Sequence, residues 1–75
     1  MATYSEIKRR ILLALANNWV EARGTFVHFD FSGEPDDLME KQVLAELKAE
    51  GSIEQNVPTL ARFTAAGYNK YKDII

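Results

Sequence analysis

Cysteine is absent from the 75 residues, and histidine occurs once, as His28. Without thiolates there is neither a disulfide framework nor a sulfur-ligated metal site. One imidazole beside scattered carboxylates matches no transition-metal ligand spacing, so no cofactor is expected. No apolar run approaches the roughly 20 residues that cross a bilayer. The basic cluster Lys8-Arg9-Arg10 follows an acidic residue inside an amphipathic pattern, unlike a signal peptide. The four glycines are dispersed, which excludes a glycine-rich phosphate loop, and there is no low-complexity tract. Positive charge is not in excess either. The net charge of −2 counts against a dedicated nucleic-acid binder, whose affinity rests on phosphate neutralisation, although a local patch outweighs the total. What remains is 47% hydrophobic and 27% charged, the balance of one small globular domain over residues 1–75. It reads as a cytoplasmic chain with no membrane partner.

Two helices and a strand are marked in the first two thirds. Thr3 and Glu6 have capping-box spacing. Tyr4, Ile7, Ile11, Leu15 and Asn18 then share a face, with Leu12 and Trp19 at its margin; Asn17-Asn18 is an end signal, with a run on to Trp19 as the alternative. Thr25 to Phe31 alternates between Val27, Phe29, Phe31 and Phe26, His28, Asp30, which predicts a strand. A second helix is expected from about Pro35 to Glu50, buried through Met39, Val43, Leu44 and Leu47, with Gly51 as a left-handed cap.

The remainder reads as a hairpin and a third helix. Ser52–Gln55 and Leu60–Phe63 are the strands, and Asn56-Val57-Pro58-Thr59 is turn chemistry. Thr64 is placed to cap a helix running to about Asp73. Gly67 inside that helix costs about 1 kcal/mol relative to alanine, which suggests close approach of another segment. The expected fold is α+β, in the order α-β-α-β-β-α, with three helices covering a three-stranded antiparallel sheet.

Leu44, Leu47, Gly51 and Ile53, a hairpin closing on Phe63-Thr64, then Gly67 and Tyr71, resemble the second half of winged-helix domains. Those domains commonly show a helix ending in "L…G.I", a two-stranded wing and an "LT..G" start to the next helix. The resemblance covers residues 38–71 by motif and the first helix by position. It implies that the 38–50 helix is a recognition helix and that the hairpin, about 52–63, is the wing. It also implies double-stranded DNA as the partner, as in small transcriptional regulators of phage or bacterial type. Many members carry another short helix where this chain has the aromatic strand and the acidic Ser32-Gly33-Glu34-Pro35-Asp36-Asp37, and the wing tip here has no lysine or arginine.

At 100° per residue, Leu38, Lys41, Gln42, Ala45, Lys48 and Ala49 lie opposite the core stripe of the second helix. Lysine suits phosphate or guanine, glutamine suits adenine, and alanine leaves room for a thymine methyl. Lys41, Gln42, Ala45 and Lys48 are therefore the candidate DNA contacts, with Glu40, Glu46 and Glu50 on the flanks. The same residue types make up any solvated helix face. Arg62 is placed either to reach a phosphate or to pair with Glu54 across the hairpin. Lys8, Arg9 and Arg10 spread over about 200° and form no single stripe.

The alternative is a protein-interaction module, an adaptor or inhibitor without DNA binding. The acidic balance, the neutral wing tip and apolar Leu13, Leu38 and Ile74-Ile75 favour it, and Leu13, Phe26 or Ile74-Ile75 would serve a homodimer. Catalysis is not expected. His28 beside Asp30 lacks a nucleophile at a recognisable spacing. Glu34, Asp36 and Asp37 lack calcium-loop spacing and fit a helix N-terminus. Trp19, Phe26, Phe29 and Phe31 are interleaved with Glu21, His28 and Asp30 rather than with the cations a base-stacking platform uses.

Overall fold

The first helix, α1 (Tyr4–Glu21), starts where Thr3 takes an extended backbone and its hydroxyl accepts the Glu6 amide at 3.2 Å. The structure is a computed structural model and describes residues 3–23, 25–29, 37–57 and 59–74. Ile7, Ile11, Leu12 and Leu15 are buried, so Leu12 belongs to the core rather than to its margin. The helix also runs past Asn17-Asn18. The Asn18 side-chain amide donates to the Thr25 backbone carbonyl at 2.9 Å, and the Thr25 hydroxyl donates back to the Asn18 side-chain oxygen Oδ1 at 3.1 Å. Asn18 therefore acts as a clasp on the segment entering the sheet. An asparagine whose side chain is engaged this way has no need to end the helix.

Three strands follow in antiparallel pairing: β1 (Val27–His28), β2 (Ile53–Val57) and β3 (Leu60–Phe63), in the spatial order β1-β3-β2. The first is shorter than the alternation suggests, and Asp30, Phe31 and Pro35-Asp36 lie outside the described residues. Beyond β1 the Phe29 amide donates to the Thr59 carbonyl at 2.7 Å. Phe29 is buried and Val27 packs against the core. Asn56 and Val57, expected in a turn, continue β2. The ladder is irregular between Gln55 and Val57, so an extra residue is absorbed within the strand and not in the loop.

Helix α2 (Asp37–Ala49) buries Val43, Leu44 and Leu47, while Met39 is half-buried against the same core. It ends at Gly51, where φ is +83°. The Gly51 amide donates to the Lys48 carbonyl at 3.1 Å and the Ser52 amide to the Leu47 carbonyl at 2.9 Å. That pair of bonds is a Schellman cap, which needs the left-handed residue that glycine supplies without strain.

Helix α3 (Ala65–Tyr71) is capped by Thr64, which accepts the Gly67 amide at 3.1 Å and donates its hydroxyl to the Gly51 carbonyl at 2.8 Å. It stops short of Asp73. The expected close approach at Gly67 is present: a β-carbon there would lie 1.9 Å from the Ser52 carbonyl oxygen. Phe63 stacks on Tyr71 at 6.3 Å and meets Tyr68 edge-on, while Tyr68 stacks on Trp19 at 5.7 Å. These rings bind α1, β3 and α3 into one core. The architecture is α+β, in the order α-β-α-β-β-α, with three helices and a three-stranded antiparallel sheet.

Candidate nucleic-acid interface

With Val43, Leu44 and Leu47 turned inward, helical geometry directs Leu38, Lys41, Gln42, Ala45, Lys48 and Ala49 outward, and all six are exposed. Three acids on the flanks and at the end of α2 are held by other elements. Glu40 accepts Arg10 of α1 at 2.7 Å. Glu46 accepts the Tyr4 hydroxyl of α1. One oxygen of Glu50 takes the Ser52 hydroxyl at 2.6 Å, and Lys70 and the Tyr71 hydroxyl at 2.8 Å each.

Protonation is set by those partners. Burial pushes the Glu50 carboxyl upward, but the hydrogen bonds from Lys70, Ser52 and Tyr71 outweigh it and bring it down to about 2. The bond to Glu46, with some burial, pushes the Tyr4 phenol up to about 12. Tyr71 is raised by burial and by its bond to Glu50. Near neutral pH both tyrosines are protonated donors and Glu50 is an anion. Three carboxylates that would repel phosphate are thus engaged with α1 and α3.

A cleft of 310 Å³ runs between α2 and β2, lined by Lys41, Ala45, Lys48, Gln55, Asn56 and Val57. The charges on its lining are two ammonium groups, seven residues apart and so about 10 Å along the helix axis. Strand alternation supplies the opposite wall. Ile53 and Phe63 form an inward cross-strand pair, Glu54 and Arg62 an outward one, and Gln55 opposite Ala61 an inward one.

Of the expected DNA-binding residues, Lys41, Ala45 and Lys48 come together in the cleft, and Gln42 is exposed on the same helix outside it. Arg62 sits on the other face of the hairpin. Its Nε and a terminal nitrogen reach one Glu54 oxygen at 3.1 and 2.9 Å, and its guanidinium lies 4.7 Å from the Phe26 ring centroid. The cross-hairpin pair is formed, and Phe26 is covered by an arginine. Gln55, Asn56 and Val57 escape a reading of the sequence because Asn56-Val57 resembles turn chemistry. Regular alternation carries Gln55 to the cleft, and the strand irregularity carries Asn56 and Val57 there.

No protein-family model, curated protein or solved structure matches the chain.

Proposed function

We propose that this chain is a small non-catalytic winged-helix domain that binds double-stranded DNA, and that it acts as a transcriptional regulator of phage or bacterial type in the cytoplasm. Helix α2 enters the major groove, with Lys41 and Lys48 on phosphates or guanine and Gln42 and Ala45 at base edges. The β2–β3 hairpin lies along the backbone, where exposed Asn56 offers a neutral hydrogen-bonding group. The observation that carries this reading is the segregation of charge on α2. Its two lysines face the cleft beside the hairpin, while Glu40, Glu46 and Glu50 are bonded to α1 and α3. Overall acidity is then no obstacle, because counterion release depends on the cations at the interface.

The test is fluorescence anisotropy of a labelled mixed-sequence duplex across a salt series. The paired substitution Lys41→Ala/Lys48→Ala is expected to lower affinity and to flatten the log–log salt slope by about 1 to 2, roughly one for each phosphate left without its cation. An unchanged slope would remove these lysines from the interface.

A second reading gives the same surface a protein partner. It is favoured by Leu38, which is 79% exposed on the outward face of α2, and by Val57, 43% exposed at the cleft wall. Leu38→Ala separates the two readings. It leaves the DNA salt slope unchanged, whereas at a protein interface it removes buried apolar area and weakens the complex.

A further inference from the structure

A second cavity, of 510 Å³, lies away from the α2–hairpin cleft, between the first turns of α1 and the end of α3. Its lining is Tyr4, Ser5, Lys8, Arg9, Leu12, Tyr71 and Ile74, and the volume falls in the range of small-molecule sites, roughly 300–1,000 Å³. Leu12 and Tyr71 are buried beneath it, and Ile74 stands 70% exposed above. The two tyrosine hydroxyls are committed to Glu46 and Glu50, neither of which lines the cavity, so the tyrosines offer it ring surface. The charged lining is purely cationic. The Lys8 ammonium lies 5.6 Å from the Tyr71 ring centroid, and Arg9 is exposed one residue on. An apolar floor with one or two cations at the rim and a hydroxyl at Ser5 is the chemistry that takes an apolar body carrying one negative head.

We propose that this cavity binds a small amphipathic carboxylate, an aliphatic or arylalkyl acid, whose head meets Lys8 and Arg9 and whose body lies against Leu12, Tyr71 and Ile74. The tyrosines that wall the site also tie α1 to α2 and α3 to the end of that helix, so a ring that shifts to seat an occupant carries the movement through its hydroxyl to Glu46 or Glu50. Its meaning as a regulatory site rests on the DNA reading of α2; the binding itself does not.

The test needs no DNA, so its failure is distinct from failure of that reading. Octanoate, phenylbutanoate and octylammonium, each below its micelle concentration, are titrated into the isotope-labelled protein and followed by amide shifts. A saturating shift with at least one of the two carboxylates is expected at Ser5, Lys8, Leu12 and Ile74, propagating to Glu46 and Glu50. The Lys8→Ala/Arg9→Ala variant is expected to bind that acid about 10-fold or more weakly, the worth of a charge-assisted hydrogen bond. Octylammonium is expected to leave those amides unmoved. Saturation by neither acid, equal binding of octylammonium, or affinity indifferent to the double substitution would each overturn the site. Binding that leaves Glu46 and Glu50 unshifted would overturn its coupling to α2.

Discussion

Two glycines of this chain perform opposite tasks, and alanine distinguishes them. At Gly67 an added methyl meets the Ser52 carbonyl oxygen at 1.9 Å, backbone that cannot yield without parting α3 from β2. Gly67→Ala is therefore expected to cost about 3 kcal/mol, the upper end of overpacking penalties, read as a fall in the urea midpoint. At Gly51 the space is open and only the left-handed backbone resists. Gly51→Ala is expected to cost about 1 kcal/mol by the same measurement. Glu50 carries the third residue-scale expectation. Its carboxyl falls from an ordinary 4.5 to about 2 in the folded chain. Between those values the unfolded chain holds the proton and the folded chain does not, so stability rises with pH. The contribution is complete above 4.5 and lost as pH falls through about 2. Denaturation at about pH 6 and again near pH 2 should show Glu50→Gln less stable than the parent at the higher pH, with the gap closing at the lower.

Among the elements, the hairpin commits its arginine to structure and leaves the cleft to the lysines of α2. Arg62 ties β3 to Glu54 on β2 and covers Phe26, on the face turned away from the cleft. Arg62→Ala is expected to lower stability by about 0.5–1 kcal/mol, a partly exposed pair and its ring packing. DNA affinity in the anisotropy assay should stay within about two-fold of the parent, since rim or remote surface changes are small. A loss matching that of Lys41→Ala/Lys48→Ala would move the interface to the outer sheet face.

Elements with a strong local signal are legible in the sequence. The Thr3 and Thr64 caps, the Gly51 stop and the buried set of α2 follow from spacing and side-chain chemistry. Elements decided by distant partners are less so. Asn18 has the composition of a helix end, but its bond to Thr25 lets α1 continue to Glu21. Asn56-Val57 has the composition of a turn, but pairing with β3 draws it into β2 and so into the cleft. Glu40, Glu46 and Glu50 can be placed on flanks by helical angle. That α1 and α3 engage all three depends on tertiary packing, which no window of sequence contains.

For the molecule as a whole, a chain of net charge −2 can serve an anionic partner only if its charges are sorted by surface. The helices do that sorting: α1 takes up Glu40 and Glu46, α3 takes up Glu50, and the hairpin flanks the lysines of α2. No helix among the described residues is long and apolar enough to cross a membrane. The central claim is that the outward face of α2 is a DNA surface. A heteronuclear NMR titration with a mixed-sequence duplex, at about 20 mM salt and then at physiological salt, tests it most directly, because the electrostatic contribution is least screened in the first condition. Shifts centred on Lys41, Gln42, Ala45, Lys48, Gln55 and Asn56 are expected, with affinity falling steeply as salt rises. Spectra that do not change at low salt, or shifts centred on Arg62 and the outer sheet face, would contradict it.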